Sequence, residues 1–202
     1  MNTRDLFLVI QNSQDYKHEK HGIDWKYLVS HEERRVYVLV QETKTKQDWL
    51  YNFIFFPVPA KLRNNCWVWI HAGWKYLAKK LMKLVEEDMK ELPDYEYIFT
   101  GWSAGAAVAE YLGAMLINKY GLKAYYVGYA QPAYCYTKDS LAHITGCYYR
   151  YINYLYDNDW IKYFTPFCKR EFISSIVPDF EPKTLDERHR VYGKATLKPE
   201  EI

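Results

Sequence analysis

A glycine-flanked serine lies at the junction between a strand-like run and a helix-like run, and it constrains the fold more than any other feature. The run Glu96–Thr100 is rich in aromatic and β-branched residues, whereas Ala104–Tyr120 is apolar nearly all round. Between them, the residues GWSAG around Ser103 fit the pattern G-x-S-x-G. This pattern predicts a tight turn that lifts a nucleophilic hydroxyl above a sheet edge. The alternative is a serine that merely caps the helix.

Strand-like runs alternate with helical patterns along the chain, which predicts an α/β sheet with parallel crossovers. Trp74–Leu92 has apolar residues at helical spacing and ends before Pro93, and the helix Ala104–Tyr120 ends before Gly121. No repeat or linker divides the sequence, so we predict one domain over 1–202. The predicted strands are Leu6–Ile10, Arg35–Val40, Trp67–His71, Glu96–Thr100, Ala124–Tyr129 and Tyr148–Tyr156.

Charge and composition narrow the range of partners. The net charge is only +2, which is too weak for a nucleic-acid-binding surface, so we expect no nucleic-acid partner. The apolar run Leu6–Ile10 is too short for a signal peptide or a membrane span, and we therefore expect a cytoplasmic protein. The cysteines show no metal-binding spacing, which favours free thiols and no bound metal. They are Cys66, Cys135, Cys147 and Cys168.

A nucleophilic serine needs a histidine base, and chain order selects one candidate. In hydrolases with this turn, a carboxylate follows the serine and the histidine follows the carboxylate. Only His143 and His189 follow Ser103. His143 has one preceding aspartate nearby, Asp139, at a spacing that fits a single helical turn. His189, in the charged stretch LDERHRVYG, is the candidate base, and the alternative is a solvated side chain.

The candidate acid comes at the end of an aromatic strand. The sequence CYYRYINYLYDNDW predicts a strand that ends at Tyr156 and brings Asp157 and Asp159 to the carboxyl edge of the sheet. A carboxylate there can fix the tautomer of the histidine and stabilise its charged form. An Asx turn is the alternative for either residue. The residues alone leave Asp157 and Asp159 as equal candidates.

These segments, taken in order, resemble the class 3 lipases, the fungal-type triacylglycerol lipase family. The resemblance covers about residues 35–193 and implies a single-domain α/β hydrolase with a mostly parallel central sheet and helices on both faces. The segments that carry it are RVYVLVQETKTKQDWLYNF, VWIHAGW, FTGWSAGAAVAEYLG, GYAQPAY, YLYDNDWIKYFTP and HRVYG.

The resemblance also implies roles for individual residues. It matches Ser103 to the nucleophile, Asp159 to the acid and His189 to the base of the family's catalytic triad, and it favours Asp159 over Asp157. The other matches are the amides of Ala104 and Thr43 as oxyanion-hole donors, with Trp49 and Leu50 in a possible lid or acyl site.

Two departures from the family pattern bear on this assignment. Glu42 stands where the family usually has glycine, and Trp102 stands where it usually has histidine. A carboxylate that pointed into the oxyanion hole would oppose the negative charge that develops there. Glu42 therefore bears directly on the match of Thr43 to an oxyanion donor.

We therefore expect a serine ester hydrolase that acts on an acyl ester, with a lipid or a small ester as substrate. This chemistry requires no cofactor and no metal. We expect a monomer that makes at most transient contact with a membrane surface. One alternative is a catalytically weak lipase-like domain that serves as a binding module. Others are a phospholipase, an acyltransferase or a thioesterase that uses the same triad.

Overall fold

A computed structural model describes residues 1–12, 16–18, 24–41, 51–62, 66–165, 167–170, 174–176, 178, 182–190 and 192. The helices are α1 (Thr3–Asn12), α2 (Ala72–Met89), α3 (Ala104–Tyr120), α4 (Lys138–Thr145) and α5 (Leu185–His189), with a 3-10 helix at Trp160–Tyr163. The strands are β1 (Lys17–His18), β2 (Asp24–Ser30), β3 (Arg35–Val40), β4 (Pro57–Lys61), β5 (Trp67–His71), β6 (Glu96–Trp102), β7 (Ala124–Tyr129), β8 (Arg150–Tyr156) and β9 (Ser174–Ile176).

The central sheet is mostly parallel, and this prediction is confirmed. Its strand order is β1-β2-β3-β6-β7-β8-β9 in the part of the chain that the structure describes. Strands β3, β6, β7, β8 and β9 run parallel, whereas β1 and β2 form an antiparallel hairpin beside β3. The carboxyl ends of β6, β7 and β8 therefore meet at one edge, where polar groups of a site can converge.

Helices cover both faces of the sheet. On one face, α2 and α3 pack against residues such as Val38 and Phe99 in the larger hydrophobic core. On the other face, α1 packs against Tyr37 and Ile98 in a second core. Helix α3 can lie close to the sheet because its first half consists largely of alanine and glycine, all of them buried.

The prediction of a strand at Leu6–Ile10 is wrong, because these residues belong to α1. Leu6 and Ile10 are one helical turn apart and are both fully buried. The helix begins at a cap, since the Asn2 side chain accepts a hydrogen bond from the Asp5 amide over 2.9 Å. Packing of this apolar stripe on the sheet outweighs the strand propensity of the run.

The strand β5 lies where the sequence predicts it, but it belongs to a separate two-stranded antiparallel sheet with β4. The sequence does not predict β4, because Pro57 and Pro59 have no N–H to donate to a strand ladder. It also does not predict β2, which mixes charged and apolar residues and is only partly buried.

All four cysteines are free thiols, of which Cys135 is buried and the others are partly exposed. Burial raises the pKa of the Cys135 thiol well above its usual range. Within the described ranges, no group of three histidine, cysteine or acidic side chains could hold a metal ion. Among the helices described above, none is both long and apolar enough to cross a bilayer.

Candidate active site

Ser103 lies on a strained turn between β6, which ends at Trp102, and α3, which begins at Ala104. Its backbone has φ 56° and ψ −133°, a conformation that residues with a side chain rarely adopt. The Ser103 amide donates to the Tyr129 carbonyl over 2.9 Å, which fixes the turn to the end of β7. The Ser103 side chain makes no capping hydrogen bond to the helix. The Ser103 side chain therefore does not cap the helix, which was the alternative to a nucleophile.

The two glycines of the motif allow close backbone contacts that hold this turn. A Cβ atom on Gly101 would lie 2.6 Å from the backbone of Gly105. A Cβ atom on Gly105 would lie 2.2 Å from the carbonyl oxygen of Gln41, just beyond the end of β3. The spacing G-x-S-x-G is thus a packing requirement of three neighbouring backbone segments at the carboxyl edge of the sheet.

Replacing Gly105 with alanine is expected to destabilise the protein by about 3 kcal/mol or more, because the new methyl group would overlap main-chain atoms that cannot move aside. The matched control is Gly121→Ala. Gly121 has a positive φ of 71°, but a Cβ atom there meets nothing within 4 Å. This control should cost only about 1 kcal/mol of backbone strain. Urea unfolding of both variants measures the difference, and equal losses would contradict the packing argument.

Asp159 is a fully buried carboxylate just beyond the end of β8. Its Oδ1 accepts the Ile161 amide over 3.0 Å and so caps the 3-10 helix that follows. Its Oδ2 accepts the Tyr192 hydroxyl over 2.9 Å. Asp157, the other candidate from the sequence, is exposed. Asp159 therefore faces the interior, and its bond with the Ile161 amide is also the Asx-turn contact that the sequence allows as an alternative.

His189 is the last residue of α5 and contacts this carboxylate directly. Its Nδ1 lies 2.9 Å from Oδ2 and 3.1 Å from Oδ1 of Asp159. A capping box between Thr184 and Glu187 fixes the start of α5. When Nδ1 of a neutral imidazole donates to a carboxylate, Nε2 is the nitrogen that can accept a proton.

Two tryptophans contact the His189 ring. The rings of Trp102 and Trp160 each lie 5.4 Å from it, centroid to centroid. The Trp102 indole N–H also donates to the His189 backbone carbonyl over 3.2 Å. The tryptophan that replaces the family's usual histidine thus holds the end of α5 in place.

Ser103 and His189 line the same pocket, which has a volume of about 200 Å³. The amide of Ala104 lies at the N-terminus of α3, where helix amides have no intrahelical partner and favour negative charge. The wall is a mixture of apolar and charged side chains. The other lining residues are Asn52, Trp74, Pro132, Trp160, Ile161, Phe164, Asp186 and Arg190.

The structure thus brings Ser103, Ala104, Asp159 and His189 together at the carboxyl edge of the sheet. The remaining sequence predictions fall outside the described residues and stay predictions. These are Thr43 as second oxyanion donor, the neighbouring Glu42, and Trp49 and Leu50 in the lid or acyl site.

Sequence reasoning missed Tyr192, although it lies in the family-like segment HRVYG. Its hydroxyl donates to Asp159 and accepts the Tyr156 amide over 3.2 Å. Burial raises the pKa of the Tyr192 hydroxyl well above its usual range, and the nearby Asp159 charge adds to this shift. Tyr192 therefore remains a hydrogen-bond donor to Asp159 at any ordinary pH.

A buried histidine, His71, contacts two residues that line the pocket. The Nδ1 of His71 accepts the Trp74 amide over 3.4 Å, and its Nε2 lies 3.3 Å from the Asn52 carbonyl. Both Trp74 and Asn52 line the pocket. Burial lowers the pKa of His71 from 6.5 to about 4. The neutral imidazole is thus the form that caps α2 and contacts the segment around Asn52.

This shift predicts a loss of stability in mild acid. Between pH 6.5 and about pH 4 the unfolded chain binds a proton at His71 and the folded protein does not. The stability that the neutral side chain contributes is therefore present above pH 6.5 and is lost as the pH falls, by about 3 kcal/mol in all. His71→Asn should be less stable at pH 7 but show a shallower decline. Urea unfolding of both proteins across this range measures the two slopes, and parallel slopes would contradict the assignment.

A serine on a strained strand-to-helix turn, with a histidine and a buried carboxylate beyond the later strands of a mostly parallel sheet, defines the α/β-hydrolase architecture. Within that architecture, the family profile described as Lipase (class 3) matches residues 37–165, well over half of the chain. The chain belongs to the class 3 lipase family.

Solved lipases share this fold at low sequence identity. The chain is similar to the native Rhizomucor miehei lipase propeptide complex, with 17% identity and a TM-score of 0.57 over 73% of this chain and 51% of that one. For the lipase of Rhizopus microsporus var. chinensis, the identity is 18% and the TM-score 0.56 over 72% and 53% of the two chains. For the triacylglycerol lipase of Penicillium expansum, they are 14% and 0.61 over 81% and 68%.

The chain therefore spans about half to two thirds of the length of these fungal lipases. Their likeness confirms the expected α/β-hydrolase fold. No curated protein sequence matches the chain.

Proposed function

We propose that this protein is a serine ester hydrolase that cleaves acyl esters of lipids through an acyl-enzyme on Ser103. The observation that carries the proposal is the shared pocket of Ser103 and His189, in which Asp159 holds the Nδ1 side of the histidine. Membership of the class 3 lipase family supports the same chemistry.

In the first half of the reaction, the Ser103 hydroxyl oxygen attacks the ester carbonyl carbon and His189 Nε2 takes the hydroxyl proton. The buried Asp159 carboxylate stabilises the imidazolium that forms. The carbonyl oxygen becomes an oxyanion, and the Ala104 amide at the N-terminus of α3 is suited to bind it. The Thr43 amide is the proposed second donor.

The tetrahedral intermediate then collapses and the ester C–O bond breaks. His189 gives its proton to the leaving alcohol, and the acyl group remains on Ser103. In the second half, His189 takes a proton from a water molecule, whose oxygen attacks the acyl carbon. The bond between the acyl carbon and the Ser103 oxygen then breaks, and His189 gives its proton to that oxygen. The acid leaves, and Ser103 and His189 return to their starting forms.

A lipid acyl chain suits the apolar part of the pocket wall. Trp74, Trp160 and Phe164 present aromatic surface near Ser103, and Pro132 adds to it. The related Penicillium expansum structure is described as a triacylglycerol lipase, which also favours a lipid ester. Asp186 and Arg190 line the same pocket and form an ion pair, with Nε of Arg190 2.7 Å from Oδ1 of Asp186. This pair gives one side of the pocket a polar character that suits the polar part of an ester substrate.

Labelling with a fluorophosphonate tests the proposal directly. We expect one covalent adduct on Ser103 by intact-mass and peptide mass spectrometry, and none on Ser103→Ala. Hydrolysis of p-nitrophenyl esters of increasing chain length then measures the acyl preference. If the folded protein formed no adduct and hydrolysed no ester, the proposed hydrolase activity would be refuted. That result would favour the alternative of a lipase-like binding module.

A further inference from the structure

The β4–β5 ribbon exposes tryptophan to water. Trp67 and Trp69 are 57% and 44% exposed, whereas Val68 and Ile70 between and after them are buried. Alternation along β5 therefore places both indoles on one outward face. The strand register sets Lys61 opposite Trp67 and Pro59 opposite Trp69. Adjacent exposed tryptophans are uncommon on a protein surface that faces only water.

The same part of the chain is strongly basic. Residues 51–85 contain six lysine and arginine residues, no aspartate or glutamate, and eight aromatic residues. The rest of the chain holds 21 basic residues against 25 acidic ones, so the positive charge is concentrated in this segment. The excess of lysine and arginine in this segment would favour its contact with an anionic surface.

Lysines lie directly beside the exposed indoles. The Lys61 ammonium lies 6.0 Å from the Trp67 ring centroid, and the Lys75 ammonium donates to the Pro59 carbonyl. Lys75 and Lys79 are four residues apart on α2, so they are neighbours on one face of the helix. Burial lowers the pKa of Lys75, and the charge of Lys79 contributes to this shift. The outer face of β4–β5 and the start of α2 thus form one basic aromatic surface, defined by Lys61, Trp67, Trp69, Lys75 and Lys79.

The segment that leads into β4 connects the ribbon to the rim of the pocket. Phe53 and Phe55 are exposed and lie four and two residues before the start of β4 at Pro57. Their rings lie 6.4 Å and 5.8 Å from the ring of Phe164, which lines the pocket. A surface that covers the ribbon would therefore lie next to the entrance to Ser103.

We propose that the basic aromatic surface docks the protein on a lipid bilayer that contains anionic lipid. Indole rings favour the interface between water and acyl chains, and lysines extend from it to anionic headgroups. A peptide that added a strand to the ribbon is a poorer fit, because Pro57 and Pro59 remove two N–H groups from β4. Docking requires no hydrolysis and does not rest on the proposed function.

The test is binding to vesicles of ether-linked lipids, which contain no ester to hydrolyse. One set is phosphatidylcholine alone, and the other adds about 30% phosphatidylserine. We expect the protein to bind the anionic vesicles about ten-fold or more tightly than the neutral ones. The double variants Trp67→Ser with Trp69→Ser, and Lys61→Glu with Lys79→Glu, should each lower that affinity by about ten-fold or more.

Tyr149→Ser is the matched control, since Tyr149 is exposed and contacts Lys123. It directly precedes β8 and so lies at the amino-terminal ends of the parallel strands, whereas the pocket lies at their carboxyl ends. It should bind the anionic vesicles as the unaltered protein does. Thermal unfolding checks that each variant is folded, and the lysine variant keeps the test open if the tryptophan variant is not. Absence of binding, or equal binding by all variants, would overturn the proposal. Binding to heparin but not to anionic vesicles would overturn it in favour of a soluble acidic partner.

The two proposals fail separately. A protein that reacts with fluorophosphonate but binds no vesicle retains its hydrolase site and loses only the docking surface. A protein that binds anionic vesicles through Trp67 and Trp69 but forms no adduct retains the docking surface without the enzyme.

Discussion

Replacing Ser103 with glycine is expected to abolish ester hydrolysis while making the protein more stable. The rate should fall by a factor on the order of a million, because the attacking hydroxyl is removed. Stability should rise by about 1 kcal/mol, because glycine adopts φ 56° and ψ −133° without the steric strain of a Cβ atom. Ser103→Ala should lose the same activity but gain no such stability, since alanine keeps the Cβ atom.

Urea unfolding and p-nitrophenyl ester hydrolysis measure the two effects in the same three proteins. The comparison with Ser103→Ala separates the strain of the turn from the loss of the hydroxyl, because only the glycine variant relieves the strain. If glycine and alanine variants were equally stable, the turn would not be strained in solution. If either variant kept the full rate of hydrolysis, the nucleophile would be another residue.

The strain at Ser103 persists because its surroundings fix the backbone on both sides. The close contacts of Gly101 and Gly105 set the path of the chain, and the Ser103 amide is bonded to Tyr129. Strained residues of this kind are retained where the surrounding structure over-determines them. The side chain gains a position in the pocket that an unstrained helix cap would not give it.

The sequence predicts the centre of the sheet better than its edges. Apart from Arg35, the runs Arg35–Val40 and Ala124–Tyr129 contain no charged residue, because helices cover both faces there, and the structure has strands with the same bounds. Leu6–Ile10 has similar composition but lies on top of the sheet, where only tertiary packing makes it a helix. Strand β2 lies near the edge and is half-buried, so its mixed composition carries little strand signal.

The G-x-S-x-G pattern points to Ser103 and chain order points to His189, and the structure places both in one pocket. The sequence does not decide whether Asp157 or Asp159 is the acid, because the two residues are two positions apart on one turn. Which side chain faces inward depends on the 3-10 helix that Asp159 caps, and that contact is visible only in three dimensions. Trp102 and Trp160 contact His189 from different elements, which no local pattern in the sequence reveals.

Asp159→Asn is expected to lower kcat by about ten-thousand-fold while the pocket keeps its shape. The Asp159 carboxylate accepts hydrogen bonds from Ile161 and Tyr192, and it also accepts the Nδ1 proton of His189. An asparagine has one oxygen and one NH₂ group, so it cannot accept from all of these donors. If its NH₂ group faces His189, Nδ1 becomes the acceptor and Nε2 carries the proton. The imidazole is then in the wrong tautomer to take the proton of Ser103.

Asp157→Asn is the matched control for this prediction, because it makes the same chemical change two residues away on an exposed side chain. It should change kcat less than about two-fold, since a solvated carboxylate outside the pocket interacts weakly with the site. Steady-state hydrolysis of a soluble p-nitrophenyl ester compares the two variants, and circular dichroism checks their fold. A larger loss in Asp157→Asn than in Asp159→Asn would assign the acid to the exposed residue. It would also mean that the loop after β8 rearranges when substrate binds, because only then could Asp157 reach His189 in place of the buried carboxylate.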